Sequence, residues 1–289
     1  MLASETQFSA RYFKVNGYQL AAKEWHAGAK YKVIACHGWL DNAASFDALA
    51  ALLTDCHVIA LDMPGHGLSD HKPPQASYNI WDDLQDILAV ADEMGWKKFN
   101  LIGHSRGAAI AMLLASSMPA LITSIVMLDG IVPQSVNILD TAKQLHNHLV
   151  GQRKAHRKNK RGYNNVDEAI AARRLSATIS EQSARLIVER GLLKKGALFY
   201  WRYDPRLSTP SAFKMTDEHN HVLISALTAP NLLIVADEGM GSNDRLMKLL
   251  ASYKNINQQR LPGSHHFHME EQAEAIAVMV RQLFAEHNS

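Results

Sequence analysis

The chain is poor in the features that hold a small or unusual protein together. Only two of its 289 residues are cysteine, Cys36 and Cys56. Both sit in apolar runs that read as buried strands, which excludes a disulfide scaffold. No apolar stretch reaches the roughly 18 residues a membrane-spanning helix needs, so no integral membrane contact is expected. The opening residues, MLASETQFSARYF, lack the basic-then-apolar pattern of a secretory leader. A cytoplasmic location is therefore expected. Excess charge is missing too: 30 Lys+Arg against 28 Asp+Glu leave a formal net charge of +2, with no sign of nucleic-acid binding. What is abundant is apolar surface, at 47% hydrophobic residues, which excludes a disordered chain. The length suits one large α/β domain or two smaller ones.

The small total charge hides an asymmetry. Residues 131–215 carry 16 Lys+Arg against 6 Asp+Glu, and the remainder 14 against 22. A basic middle segment inside an acidic frame reads as an insertion with its own surface role.

Periodicity supports that division. Phe8–Val15 and Tyr18–Trp25 flank Asn16-Gly17, a strong hairpin signal because both residues tolerate positive φ. Continuous Val/Ile/Leu-rich runs follow at Tyr31–Cys36, His57–Leu61, Phe99–Ile102, Ile125–Leu128, Leu232–Ala236 and Asn257–Leu261. Helical patterns alternate with them at Ser45–Leu53, Tyr78–Met94, Gly107–Ser117, Asn243–Tyr253 and Glu270–Ala285. Buried strands alternating with helices predict a parallel sheet covered on both faces. The 131–215 segment breaks the pattern. It shows no convincing strand and reads as helices at Asn137–Leu149, Val166–Leu175 and Glu181–Glu189. The expected layout is a core of 1–130 and 216–289, with 131–215 a helical cap over the sheet edge where α/β sheets bind ligands.

Three short segments carry chemistry. Gly103-His104-Ser105-Arg106-Gly107 lies directly between a strand and a helix. A serine on so sharp a turn is exposed as a nucleophile, and the flanking positions must be small because they approach each other. The helix N-terminus that follows favours a developing oxyanion. His37-Gly38-Trp39 ends an earlier strand; the backbone N–H groups of Trp39 and Arg106 are the candidate oxyanion donors. Pro262-Gly263-Ser264-His265-His266-Phe267-His268-Met269-Glu270 follows the last strand, where a general base can reach over the sheet edge to Ser105. Its three histidines invite a metal reading, but no companion carboxylate or thiolate stands at matching spacing, so neither a metal nor a cofactor is expected.

In these segments, together with Asp62-Met63-Pro64-Gly65-His66-Gly67-Leu68-Ser69-Asp70, the chain resembles the α/β-hydrolase superfamily. Within it, the chain looks most like the capped serine-hydrolase-like proteins related to haloalkane dehalogenases and epoxide hydrolases. The resemblance covers nearly everything outside 131–215. It implies an eight-stranded, mostly parallel sheet with helices on both faces, and a helical cap after the sixth strand. It also implies a Ser–acid–His triad, with Ser105 as nucleophile and His265 as base, His266 being the fallback. Many relatives place the acid after the seventh strand, where this chain has Gly239. Others take it from the end of the sixth, which here is Asp129. Asp129 is the favoured acid, with Asp237 or Glu238 as alternatives.

The expected activity is hydrolysis of a small-molecule carboxylic ester through an acyl-enzyme. Dehalogenases and epoxide hydrolases of the superfamily use Asp at the elbow, so Ser105 argues for an acyl substrate. Carbon–carbon bond hydrolysis and perhydrolysis on the same triad are alternatives; a non-catalytic ligand receptor is the alternative from another class. Arg202, in Trp201-Arg202-Tyr203-Asp204-Pro205-Arg206, is a candidate clamp for an anionic substrate group, against the plainer reading of an Arg–Asp pair that anchors the cap. The basic run 153–161 is read as a solvated face able to steer anionic substrates or touch an anionic membrane surface. A monomer or homodimer is expected.

Overall fold

A computed structural model describes residues 8–155, 160–240 and 250–287. Strands β1 (Ser9–Val15) and β2 (Tyr18–Trp25) form an antiparallel hairpin that closes Val15 on Tyr18. Asn16 and Gly17 turn the chain at φ 50° and 86°. Strands β3 (Tyr31–Cys36), β4 (Cys56–Leu61), β5 (Phe99–His104) and β6 (Ile122–Leu128) are almost wholly buried, as their unbroken apolar runs require. Two short strands, β7 (Leu192–Lys195) and β8 (Leu198–Trp201), stand apart, and β9 (Asn231–Glu238) and β10 (Gln258–Ser264) complete the main sheet. Its order is β1-β2-β4-β3-β5-β6-β9-β10, parallel from β4 to β10. From β3 the chain crosses one way to β4 and then back past β3 to β5. That reversal opens a crevice beyond the C-terminal ends of β3 and β5.

Successive strand residues face opposite sides. Ile34 and Cys36 pack with Leu101, Ile110 and Leu113 on the face covered by α2 (Asp82–Glu93), α3 (Arg106–Ser117) and α7 (Asp217–Ala226). Val33 and Ala35 pack with Phe46, Leu49, Ile276 and Phe284 on the other, under α1 (Asp47–Leu52) and the closing helix α8 (Ala273–His287). The closing helix starts three residues later than the periodicity suggests, because Phe267–Met269 form a 3-10 turn. The expected helix Asn243–Tyr253 lies mostly outside the described residues.

Between β6 and α7 come α4 (Thr141–Ala155), α5 (Val166–Ser176) and α6 (Glu181–Gly191). Asn165 and Ser180 start the last two by accepting the N–H groups of Glu168 and Ser183. This segment has a small core of its own around Tyr163, Ile170, Ala184, Ile187 and Val188. It is not strandless as expected: β7 and β8 pair antiparallel around Gly196 at φ 63°. Each has four residues, with Lys194-Lys195 exposed in one and half-buried aromatics in the other, so no alternation was readable. Among the described residues, no helix is long and apolar enough to cross a membrane.

Candidate active site

Ser105 stands where β5 turns into α3, at φ 53° and ψ −111°. A non-glycine residue held there costs on the order of 1–3 kcal/mol and persists only where its surroundings impose it. They do. A Cβ on Gly103 would overlap the Gly107 carbonyl, and one on Gly107 would overlap the Cys36 carbonyl. The Ser105 N–H donates to Leu128 O at 2.8 Å, and its own carbonyl accepts from Ala108 and Ala109 at 3.1 and 3.3 Å. The same closeness sets the β3 end, with Gly38 and Trp39, against the start of α3.

Asp129 follows β6, also at positive φ (46°), and is buried. Its Oδ2 lies 2.5 Å from His265 Nδ1 and accepts the Met240 N–H at 2.7 Å, while Oδ1 accepts that of Ala236 at 3.1 Å. A Cβ on Gly130 would lie 2.9 Å from Ser105 Cα. Ser105, Asp129 and His265 thus converge at the C-terminal ends of β5, β6 and β10. Gly239, at the position where many relatives carry the acid, abuts the Asp129 carboxylate so closely that a Cβ would overlap it. The alternatives are not brought to His265. Asp237 pairs with Arg260 at 3.1 Å on the surface, and Glu238 is exposed. His266 turns inward toward Asp41.

Arg106 is the first residue of α3, so its N–H is one that an α-helix leaves without an internal partner. Its side chain leaves the crevice for Asp83, 2.5 Å away. His37 holds the opposite loop: Nδ1 bonds Gly38 O at 2.7 Å and Nε2 accepts the Met63 N–H at 3.0 Å. The Trp39 indole donates to Leu207 O at 3.3 Å, joining this loop to the 131–215 segment.

That segment is fastened by residues that spacing did not single out. Arg173 meets the buried Asp41 at 2.5 Å. Arg190 Nε donates to both Asp62 oxygens at 2.9 and 3.0 Å, while Asp62 also accepts the N–H groups of Ala43 and Leu68. Arg206 pairs with Asp204 at 2.6 Å and donates to the carbonyls of Lys72, Pro73 and Ala76. The anchoring Arg–Asp pair therefore uses Arg206. Arg202 directs Nε to Leu192 O at 3.0 Å, within the β7–β8 hairpin. In the basic run, Lys160 donates to Trp201 O at 2.9 Å and so is not a freely solvated charge; residues 156–159 lie outside the described residues.

A second group was also missed. His104, His266 and His268 are buried around Asp41. Burial pushes His104 down to about 4 and His268 well below the usual histidine range. Burial opposes the charge on Asp41, but His104, His266 and Arg173 together outweigh it and hold its carboxyl well below the usual carboxylate range. His104 lies inside the GHSRG motif, next to Ser105.

The sheet order, the elbow and the crevice define an α/β-hydrolase fold. The chain belongs to the α/β-hydrolase family, whose model matches residues 31–281. It is 33% identical over 276 residues to a serine hydrolase-like protein of Dictyostelium discoideum, covering 88% of this chain and 75% of that one. A serine hydrolase-like protein of Danio rerio is 28% identical, covering 87% and 81%. Among solved structures, a hypothetical protein from Pseudomonas aeruginosa is 35% identical with a TM-score of 0.90, covering 96% and 98%. A thioesterase domain from the curacin biosynthetic pathway, 20% identical, shares the fold at a TM-score of 0.81, covering 95% and 99%. With these relatives, the fold supports a hydrolase.

Proposed function

We propose that the chain is a serine hydrolase that cleaves carboxylic esters of small molecules, with 131–215 as a cap over the crevice. The observation that carries this reading is the strained Ser105 at the elbow, beside a histidine held 2.5 Å from a buried aspartate. Asp129 fixes His265 with Nδ1–H toward the carboxylate, leaving Nε2 to act as base. Ser105 Oγ attacks the ester carbonyl as Nε2 takes its proton. The N–H groups of Trp39 and Arg106 receive the oxyanion. The imidazolium then protonates the departing alkoxide, leaving an acyl group on Ser105. Water, deprotonated by His265, releases the acid and restores the serine. Every proton in this cycle is carried by a residue of the chain.

A fluorophosphonate probe tests the reading. Wild type is expected to be labelled on Ser105 and Ser105→Ala to be inert; equal labelling of both, or none of wild type, overturns it. A p-nitrophenyl ester series from acetate to palmitate then sets the acyl length.

A further inference from the structure

We propose that Asp41, His104 and His266 form a binding site for one divalent transition-metal ion of the zinc class, behind the catalytic crevice. The expectation that the histidine cluster lacks a companion carboxylate came from spacing along the chain. In space, Asp41 is that carboxylate. Ligand atoms from the three side chains all lie within 4.8 Å of one another, and all three residues are buried. Asp41 Oδ2 is 3.6 Å from His104 Nδ1 and 3.4 Å from His266 Nε2. Ligands about 2.0–2.1 Å from a tetrahedral zinc ion stand about 3.4 Å apart, so the two edges match without rearrangement.

The hydrogen-bond directions point the same way. His104 Nε2 faces His265 O at 2.9 Å. A carbonyl can only accept, so Nε2 carries the proton. Nδ1 faces Asp41 Oδ2, an acceptor, at 3.6 Å. A metal cation between His104 Nδ1 and Asp41 Oδ2 would satisfy both. A ligating imidazole that donates its other N–H to a backbone carbonyl is also the usual outer support of a metal site. The pocket also holds unpaired nitrogens: among the described residues, the ligand atom His104 Nδ1 has no hydrogen-bond partner, and neither do His266 Nδ1 and both nitrogens of His268. His268 is fully buried, its ring centroid 4.1 Å from that of His104, and so packs against a ligand ring. Imidazole-rich sets with one carboxylate select zinc-class ions over magnesium or calcium. Arg173, on the other oxygen of Asp41, partly neutralises it and so weakens binding. Bound there, an ion would pin together the loop after β3, the end of β5 and the loop after β10.

Cobalt(II) alone is the first probe, titrated into the full chain after chelator treatment. One equivalent is expected to bind with the visible absorption of a tetrahedral site, to be displaced by zinc(II), and to raise the melting temperature. His266→Gln and Asp41→Asn should each weaken binding at least about tenfold, as loss of a ligand does. His287→Gln, at an exposed site, should change nothing. Arg173→Met should tighten binding, because Asp41 regains its full charge; a merely structural cluster has no reason to do so. Fluorophosphonate labelling of Ser105, or an unchanged circular dichroism spectrum, shows that each variant is folded. Should the variants not fold, histidine ring nitrogen NMR of wild type decides: zinc(II) should move the His104 and His266 signals and leave His287 in place. Absence of one-to-one binding by wild type overturns the proposal. So does binding that survives in both ligand variants, or shifts confined to exposed histidines.

Discussion

At the elbow, backbone touches backbone: Gly103 lies against Gly107, Gly107 against the end of β3, and Gly130 against Ser105. The 131–215 segment, proposed above as the cap, meets the remaining core differently. Arg173 and Arg190 reach Asp41 and Asp62 across 132 and 128 positions of sequence, through long side chains that end in buried ion pairs. The core site is therefore held by what cannot fit, and the cap by charges that cannot be left alone. This also gives the charge asymmetry a meaning. The basic excess of 131–215 and the acidic excess of the remainder partly answer one another across the interface, so the basic cap need not be a lure for anionic substrates.

The largest effect that would break this comparison is on the core side. Asp129→Asn is expected to lower kcat on p-nitrophenyl acetate on the order of 10⁴-fold, with the fold intact, because His265 loses the partner that sets its tautomer. Asp237→Asn should leave kcat unchanged, since its partner is the surface Arg260. The reverse ranking would move the acid.

On the cap side, Arg190→Met leaves Asp62 charged and buried. Removing one partner of a buried pair costs about 3–5 kcal/mol, to be read as a lower urea midpoint. No change in midpoint would mean that the cap is not fastened there.

Acid sharpens the contrast, because the histidines whose charging burial opposes lie outside 131–215. Burial holds His37, His66, His104 and His268 below their ordinary range. Unfolded, they take up protons as pH falls through about 6.5; folded, they resist, His104 down to about 4. The unfolded chain then binds more protons, so stability is lost as pH falls over that window. Melting temperatures between pH 7 and 4 should decline, and His268→Phe should flatten the decline.

The smallest expected effect is that of Arg202→Ala. Its Nε serves the β7–β8 hairpin, so the ratio of kcat/KM for an anionic to a neutral ester should change less than about threefold, as for an exposed ion pair. A larger loss confined to the anionic ester would return Arg202 to the substrate site.

The core was legible because backbone constraints write themselves as residue types. Runs of Val and Ile marked β3 to β6, and glycines marked the closest approaches. Gly239 shows the limit of that code. It reads as a missing acid until Asp129 is seen filling the space. The cap hairpin escaped because four-residue strands carry too few alternations. Asp41 and His104 escaped because a buried cluster assembled from two loops and a strand end leaves no spacing signature. Arg173 and Arg190 looked like ordinary helix-surface charges, since nothing local distinguishes an arginine facing water from one facing a buried carboxylate.

The most direct test of the central claim is intact-mass and peptide mass spectrometry of enzyme quenched during turnover of a p-nitrophenyl ester. An acyl adduct is expected on the peptide containing Ser105, formed and discharged in wild type and absent in Ser105→Ala. Turnover with the adduct elsewhere, or undiminished turnover by Ser105→Ala, would contradict it.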